Sequence, residues 1–452
     1  MAAKRIEAAN PAGLGAREAA WRIAEGALSS AELVAACLER IAAEDERVQA
    51  WAFFDPDRAM AEAGERDRRR ARGQPLGPLH GVPVGIKDII DVRGMPTGNG
   101  TPIDEGKKPW DDAAVTRRLR AAGAVILGKT VTTEFAYFHP GKTRNPHDGS
   151  RTPGGSSSGS AAAVASHMVP LALGSQTNGS VIRPASFCGV VGFKPSFGAI
   201  PRTGALVLSP SLDHIGVFAR SLEDAALAEA IMGPDGADRD ARESPGPLSV
   251  TALAEPPVIP ALAVVQTPFW DRAEPATHAA FAELEEALGG QADAVDLPEA
   301  FARGAGWLRA VMAAEMARNL GHYVDRAPEQ CSDKIREIVA EGREIRAPDY
   351  LAARDMRAVL RDSLAPLFDR FDAIVTPAAP GEAPEGLEST GDPIFCTLWT
   401  FCGLPALSLP LLTGPTGLPV GVQLVGAPGQ DARLLRTARW LVRQLSAAEE
   451  NA

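Results

Sequence analysis

Between about Leu79 and Arg220 the chain keeps switching its pattern. Short apolar runs, "HGVPVGIKDII", "GAVILGK", "MVPLALGS" and "GVVGFKPS", are separated by Ala-rich stretches and Gly-rich turns. Apolar runs of this length, bounded by glycine and proline, read as buried strands, and their alternation with helical segments predicts a sheet with helices on both faces. The first 75 residues read as helices. There "SSAELVAACLERIAAE" opens with a capping box from Ser29 to Glu32 and carries Leu33, Cys37 and Ile41 on one face. A polar, Pro/Gly-rich stretch at 233–247 is expected to be an exposed loop. A strand "ALAVVQ", a helical region at 300–370, and strands in "DAIVTPAAP" and "GLPALSLPLLTGPTGLPVGVQLVG" follow. With no repeat or clean linker in view, the expectation is one α/β domain over 1–452. Its central mixed, twisted β-sheet is built on a core at 79–220, and the strands of 371–440 join the same sheet.

One of these strands carries a decoy. "GAVILGKT", Gly123 to Thr130, satisfies G-x-x-x-x-G-K-[ST], the loop that cradles nucleotide phosphates. That loop needs a strand before its first glycine and a helix after its threonine. Here "DAAVTRRLRAAG" comes first, with Val115, Leu119 and Ala122 at helical spacing and Arg117, Arg118 and Arg120 on the other faces. Gly123 then closes a helix, and "AVIL" is a short buried strand rather than a flexible cradle.

Composition narrows the function. The 452 residues are 45% hydrophobic and 23% charged, ordinary for a globular enzyme, and the net charge is −11. A field of that sign opposes nucleic-acid binding, and the densest basic run, "RDRRRARG", is diluted by Glu62, Glu65 and Asp67. There is no apolar run of about 18 residues for a membrane span, and the N-terminus lacks the apolar region of a secretion signal. Five scattered cysteines, none in a C-x-x-C pair, read as small buried hydrophobes in a reducing cytoplasm. The seven histidines show no metal-ligand spacing, so neither a metal nor a cofactor is expected.

The chemistry concentrates in Thr152–Gly189, "TPGGSSSGSAAAVASHMVPLALGSQTNGSVIRPASFCG", where two serine clusters flank an Ala-rich helix and a strand. Gly155–Gly159 fits the G-x-S-x-G nucleophile elbow. That elbow needs a preceding strand, and "NPHDGSRTPGG" is a loop; Asp213 and His214 are also adjacent rather than placed as separate acid and base. A Gly/Ser run is ordinarily a flexible linker. The flanking Pro153 and Ala-rich helix argue instead for a packed loop in an unusual backbone conformation. Cleaving an acyl bond without metal or histidine requires a hydroxyl nucleophile, a base that is neutral at working pH, and N–H groups facing the oxyanion. Lysine can be that base if burial lowers its pKa from about 10.4 toward 7. Lys87 closes an apolar strand with Ile86, Ile89 and Ile90 around it.

"GVPVGIKD", "GGSSSGSAAAV", "NGSVIRPASFCGVVGFKPS" and the late "GLPALSLP…GLPVGVQLVG" together resemble the amidase signature family, tightly from Gly81 to about Ser196 and more loosely to residue 440. The 24 positions from Ser156 to Ser180 match the family's spacing. The resemblance implies a Ser–Ser–Lys triad. Ser180 is the nucleophile, Ser156 the bridging serine on a cis peptide after Gly155, and Lys87 the base. The backbone N–H groups of Thr177, Asn178, Gly179 and Ser180 form the oxyanion hole. Ser157 and Ser158 are supporting donors, and Lys129 and Lys194 are structural.

The sequence departs from the family's commonest T-D-x-G-G-S-I-R. Gln176 replaces the Asp, Asn178 replaces a Gly, and the arginine falls one position later, at Arg183. Gln176 and Arg183 are similar to malonamidase, a member of the family whose equivalent arginine holds a substrate carboxylate. Gln176, Arg183 and Gly155 are therefore expected at the substrate, with bracing of the loop as the alternative for Arg183. Walls for the pocket are expected from Gly94–Pro102, Glu134–Pro140 and the helical part after 300. The expected activity is a cytoplasmic amidase for small amides, with carbamates and esters as further substrates, working through an acyl-enzyme. No nucleic-acid or membrane partner is expected, and a homodimer is left open. The alternative is the amidase subunit of a tRNA-dependent amidotransferase. Those subunits carry a longer C-terminal helical region than the stretch after "VGVQLVGAPGQDARLL", which favours the free-standing enzyme.

Overall fold

The computed structural model describes residues 10–233 and 249–451, so the loop expected at 233–247 lies, apart from Gly233, outside the described residues. Strands β1 (Trp51–Phe54), β2 (Pro83–Lys87), β3 (Val125–Thr130), β4 (Leu171–Gln176), β5 (Val191–Lys194) and β6 (His214–Ala219) come from the first half. Strands β7 (Leu262–Gln266), β8 (Ala292–Asp296), β9 (Ala373–Pro377), β10 (Ala406–Thr413) and β11 (Pro419–Val425) come from the second. All of them join one sheet in the order β1-β3-β2-β4-β6-β5-β10-β11-β9-β7-β8. The sheet is mixed. β3, β2 and β4 run parallel, as do β8, β7 and β9, while β5, β6, β10 and β11 make antiparallel pairs between them. The β5–β10 pairing, Ala406 opposite Lys194, joins the two halves into a single domain.

Every residue of β2 to β6 is buried. Side chains alternate faces along a strand, so helices must cover both sides. Composition decides how closely they approach. Helix Ser158–Ala165, "SGSAAAVA", lies against β2, β3 and β4. A Cβ on Gly159 would stand 2.2 Å from the Ala50 carbonyl, and one on Gly174 of β4 would stand 2.7 Å from Ser157 Oγ. The run of small residues is thus what lets this helix start directly over the end of the sheet.

The decoy resolves as read. Helix Ala114–Ala121 ends through Gly123 at φ +91°, with the Ala124 N–H returning to the Leu119 carbonyl, and β3 follows at once. The capping box at Ser29 forms, with the hydroxyl accepting from Glu32 N at 3.1 Å and the Glu32 carboxylate accepting from Ser29 N at 2.7 Å. The helical region is present as Gly304–Arg326, Asp333–Glu344 and Ala347–Ser363. Three strands went unread, among them the short, half-exposed β8 between "ALAVVQ" and the helical region. β1 lies inside the stretch read as helices, where Gln49 at φ 54° turns the chain onto the edge of β3. In β6 a glycine interrupts the apolar run, because a Cβ on Gly216 would meet Val181 Cγ2 at 2.7 Å and the Phe193 carbonyl at 2.8 Å.

Candidate active site

Strand β2 ends by carrying Lys87 into the protein, where the side chain is 0% exposed. Its Nζ meets three hydroxyls: Ser156 Oγ at 2.7 Å, Ser175 Oγ at 2.8 Å and Ser157 Oγ at 3.0 Å. No carboxylate pairs with it among the described residues. Loss of hydration therefore dominates and holds the amine well below the ordinary lysine range, with the negative charge of Asp213 opposing this from a distance. An amine so placed can be neutral at pH 7, and a neutral amine can accept a proton from the hydroxyl it faces.

Ser156 lies two residues before the small-residue helix. The Gly155–Ser156 peptide is cis, as the resemblance implied. The Ser156 carbonyl accepts from Thr133 N at 3.2 Å, and Gly154, at φ +80°, has Pro184 Cα 2.8 Å from where a Cβ would sit. Ser157 Oγ donates to the Ser175 carbonyl and accepts from Ser175 N, so it ties the helix start to β4. Ser158 reaches the Val131 carbonyl at 3.4 Å and has no link to Lys87.

The loop after β4 holds Ser180. The backbone N–H groups of Thr177, Asn178, Gly179 and Ser180 have no hydrogen-bond partner among the described residues, whereas the next three are all engaged. Gln176 explains part of this. Its Oε1 accepts from Val181 N at 2.7 Å and Ile182 N at 3.0 Å, and its Nε2 donates to Thr400 Oγ1 at 2.8 Å. The side chain expected at the substrate is thus turned into the protein, where it fixes the start of helix Ile182–Cys188. Asn178 is held from helix Ile394–Cys402, its Oδ1 by Thr397 Oγ1 at 2.9 Å and its carbonyl by Thr400 Oγ1 at 2.5 Å. Four adjacent free N–H groups beside a serine can receive a developing oxyanion.

Arg183 is buried beneath this loop, and burial lowers its pKa only to about 10, so it stays charged at neutral pH. Nη2 donates to the Gly155 carbonyl at 2.8 Å and to Thr390 Oγ1 at 3.1 Å. Gly155 thus takes part through its backbone, and the bracing alternative for Arg183 has a concrete geometry. Nε and Nη1 have no partner among the described residues, and the Phe138 ring centroid lies 5.8 Å from the guanidinium carbon.

The remaining expected residues fall into place around this centre. Lys129 pairs with Asp88 at 2.8 Å and reaches Pro96 O and Thr97 Oγ1, and Lys194 donates to the Pro195 and Leu404 carbonyls. The five cysteines are free and buried. Among the described residues no cluster could hold a metal, and no helix is long and apolar enough to cross a membrane. Segments 94–102 and 134–140 knit together by Phe135 N to the Asn99 carbonyl at 2.8 Å. The helical region docks on the same loops through Tyr323 Oη to Asp104 at 2.7 Å and Ser332 N to Glu134 at 3.1 Å. A cavity of about 220 Å³ opens elsewhere, between Ile89, Ser175, Thr177, Asp213 and the 205–208 stretch, which the sequence did not mark as a wall. Ser175, Thr397 and Thr400 were also missed, and Asp213 was weighed only as a triad acid and set aside. Ser175 alone left a signal, as a lone hydroxyl near the end of an otherwise apolar strand beside β2.

The Amidase family profile matches residues 32–435 of the chain. One component of the glutamyl-tRNA(Gln) amidotransferase of Anaeromyxobacter sp. (strain K) is 38% identical, with 96% of each chain covered. The AtzE component of the 1-carboxybiuret hydrolase of Pseudomonas sp. (strain ADP) is 37% identical over 93% of this chain and 96% of its own. The solved peptide amidase of Stenotrophomonas maltophilia superposes with a TM-score of 0.84 at 30% identity, covering 96% of this chain and 97% of that one. Since 96% of the amidotransferase component is covered, the shorter C-terminal region expected to separate the two readings does not separate them.

Proposed function

From the premise that the chain belongs to the amidase family and hydrolyses amide C–N bonds, we propose that it does so on small amides, through an acyl-enzyme on Ser180. Neutral Lys87 accepts a proton from Ser156, which takes one from Ser180 as its oxygen attacks the carbonyl carbon. The resulting oxyanion lies among the N–H groups of Thr177 to Ser180. As the C–N bond breaks, the proton returns from Lys87 through Ser156 to the departing nitrogen. Water then repeats the relay and releases the acid. The observation that carries this reading is the 2.7 Å hydrogen bond between an uncharged-leaning Lys87 and Ser156. Gln176 is assigned to the loop and Arg183 to the Gly155 carbonyl; the two spare Arg183 nitrogens favour substrates that carry an acceptor. Buried free cysteines suit the cytoplasm as its compartment.

The test is to assay the purified chain on a panel of acidic, neutral and aryl amides and carbamates, with hydroxylamine added to intercept the acyl group. Amine release with hydroxamate formation is expected, and both should vanish in Ser180→Ala. Undiminished turnover in that variant would overturn the reading.

A second reading has a specific basis: two of the relatives are named as components of larger enzymes. In that case the same chemistry releases ammonia within a complex, and the purified chain alone is poorly active. Activity of the isolated chain decides between the two.

A further inference from the structure

Thr177 is the first residue after β4, and its hydroxyl does not face Lys87. It donates to Asp213 Oδ1 at 2.7 Å. The other carboxylate oxygen accepts from Leu208 N and Ser209 N, each at 2.9 Å. Asp213 is thus a buried carboxylate fully occupied by three donors, one of them in the Ser180 loop and two in the segment walling the cavity beside Ser175 and Thr177. The loop's other restraints act at and beyond its far end or on Asn178, through Gln176, Thr397 and Thr400, and all of those groups are neutral. Rotation about Thr177 would turn the 177 and 178 N–H groups together, and the charge-assisted bond to Asp213 opposes it.

We propose that Asp213 is a positioning residue for amide hydrolysis, holding the Thr177–Ser180 N–H groups in register through the Thr177 hydroxyl. This rests on the reading that those groups receive the oxyanion. The charged and titratable groups around Asp213 are Lys87 from β2, Arg202, whose Nη1 donates to the Asp213 main-chain carbonyl at 3.1 Å, and the neighbouring His214. Because the Asp213 charge favours the ammonium form of Lys87, the two consequences of removing it can be separated.

The experiment compares Thr177→Val, Thr177→Ser, Asp213→Asn and the Val/Asn double variant on one neutral amide that the wild type hydrolyses. Thr177→Val leaves the carboxylate and its two backbone donors in place, so the fold should survive. Its kcat should fall about 10- to 100-fold with KM changed less than about 3-fold, since one misaimed oxyanion donor costs roughly that much or more. Thr177→Ser should recover most of the loss. The double variant should lose little more than the worse single one. Asp213→Asn should also move the acid limb of the pH profile to lower pH, which Thr177→Val should not do. A Thr177→Val enzyme with wild-type kcat, or strictly additive losses, would overturn the proposal. A wild type inactive on every amide would instead count against the reading on which it rests.

Discussion

Two buried lysines sit on neighbouring strands near one edge of this sheet and meet opposite surroundings. Lys87 closes β2, and Lys129 lies in the neighbouring parallel strand, in register with Ile86. Both are fully buried, and in both desolvation lowers the pKa. Lys129 is answered by Asp88 at 2.8 Å, whereas Lys87 is answered only by hydroxyls. A carboxylate favours the ammonium and makes the pair structural. Hydroxyls leave the cost of burial uncompensated, so the ammonium form is disfavoured, as the proposed base role of Lys87 requires. Burial alone does not make a reactive lysine; the partner decides.

The largest effect should come from breaking the Lys87 side. Lys87→Met is expected to lower kcat/KM by about 10³-fold or more, the scale on which removing a member of a catalytic triad acts. Its melting temperature should be unchanged or higher, because it removes an unpaired buried amine. Lys129→Met should do the reverse. Orphaning Asp88 should cost about 3 to 5 kcal/mol of stability, read by denaturant unfolding, with catalysis in the folded fraction largely kept. If both variants lost stability equally, the contrast would be gone.

A smaller effect follows in the relay. Ser156→Ala should reduce kcat about 10²- to 10³-fold, because Lys87 then lacks the Ser156 hydroxyl through which to reach Ser180. An unchanged kcat would mean that Lys87 acts without it.

The pH dependence sharpens the same comparison. The folded pKa of Lys87 is depressed below its unfolded value, so between the two the unfolded chain holds a proton that the folded chain lacks. This group therefore lowers stability in that window, and its contribution improves as pH rises toward about 10.5, the unfolded value. Activity should rise with pH through the lowered value, as the ammonium becomes a base. Denaturant unfolding and kcat/KM measured across the same pH series test both; activity that rose toward acid pH would exclude Lys87 as the base.

The smallest expected effect is at Arg183. Arg183→Ala removes both the brace on the Gly155 carbonyl and the spare nitrogens. If an acidic substrate uses those nitrogens, KM for an acidic amide should rise about 10-fold more than for its neutral analogue. A brace alone lowers kcat for both equally, and a matched substrate pair separates the outcomes.

What the sequence determined by itself was local or carried by spacing. Four of the five core strands, the end of the helix before Gly123 and the Ser29 capping box could be read, because periodicity and caps are written within short windows, while the candidate triad positions Lys87, Ser156 and Ser180 came from the family resemblance. What only the tertiary structure decided was who faces whom. Ser175 meets Lys87 across 88 positions, Thr400 meets Gln176 across 224, and Asp213 meets Thr177 across 36. No window contains such pairs. Gln176 looked like a substrate contact until helix Ile394–Cys402 supplied the threonine that turns it inward. The strand sequences around Lys87 and Lys129 are equally apolar; one lysine faces only hydroxyls and the other is ion-paired because folding set a carboxylate beside only one of them.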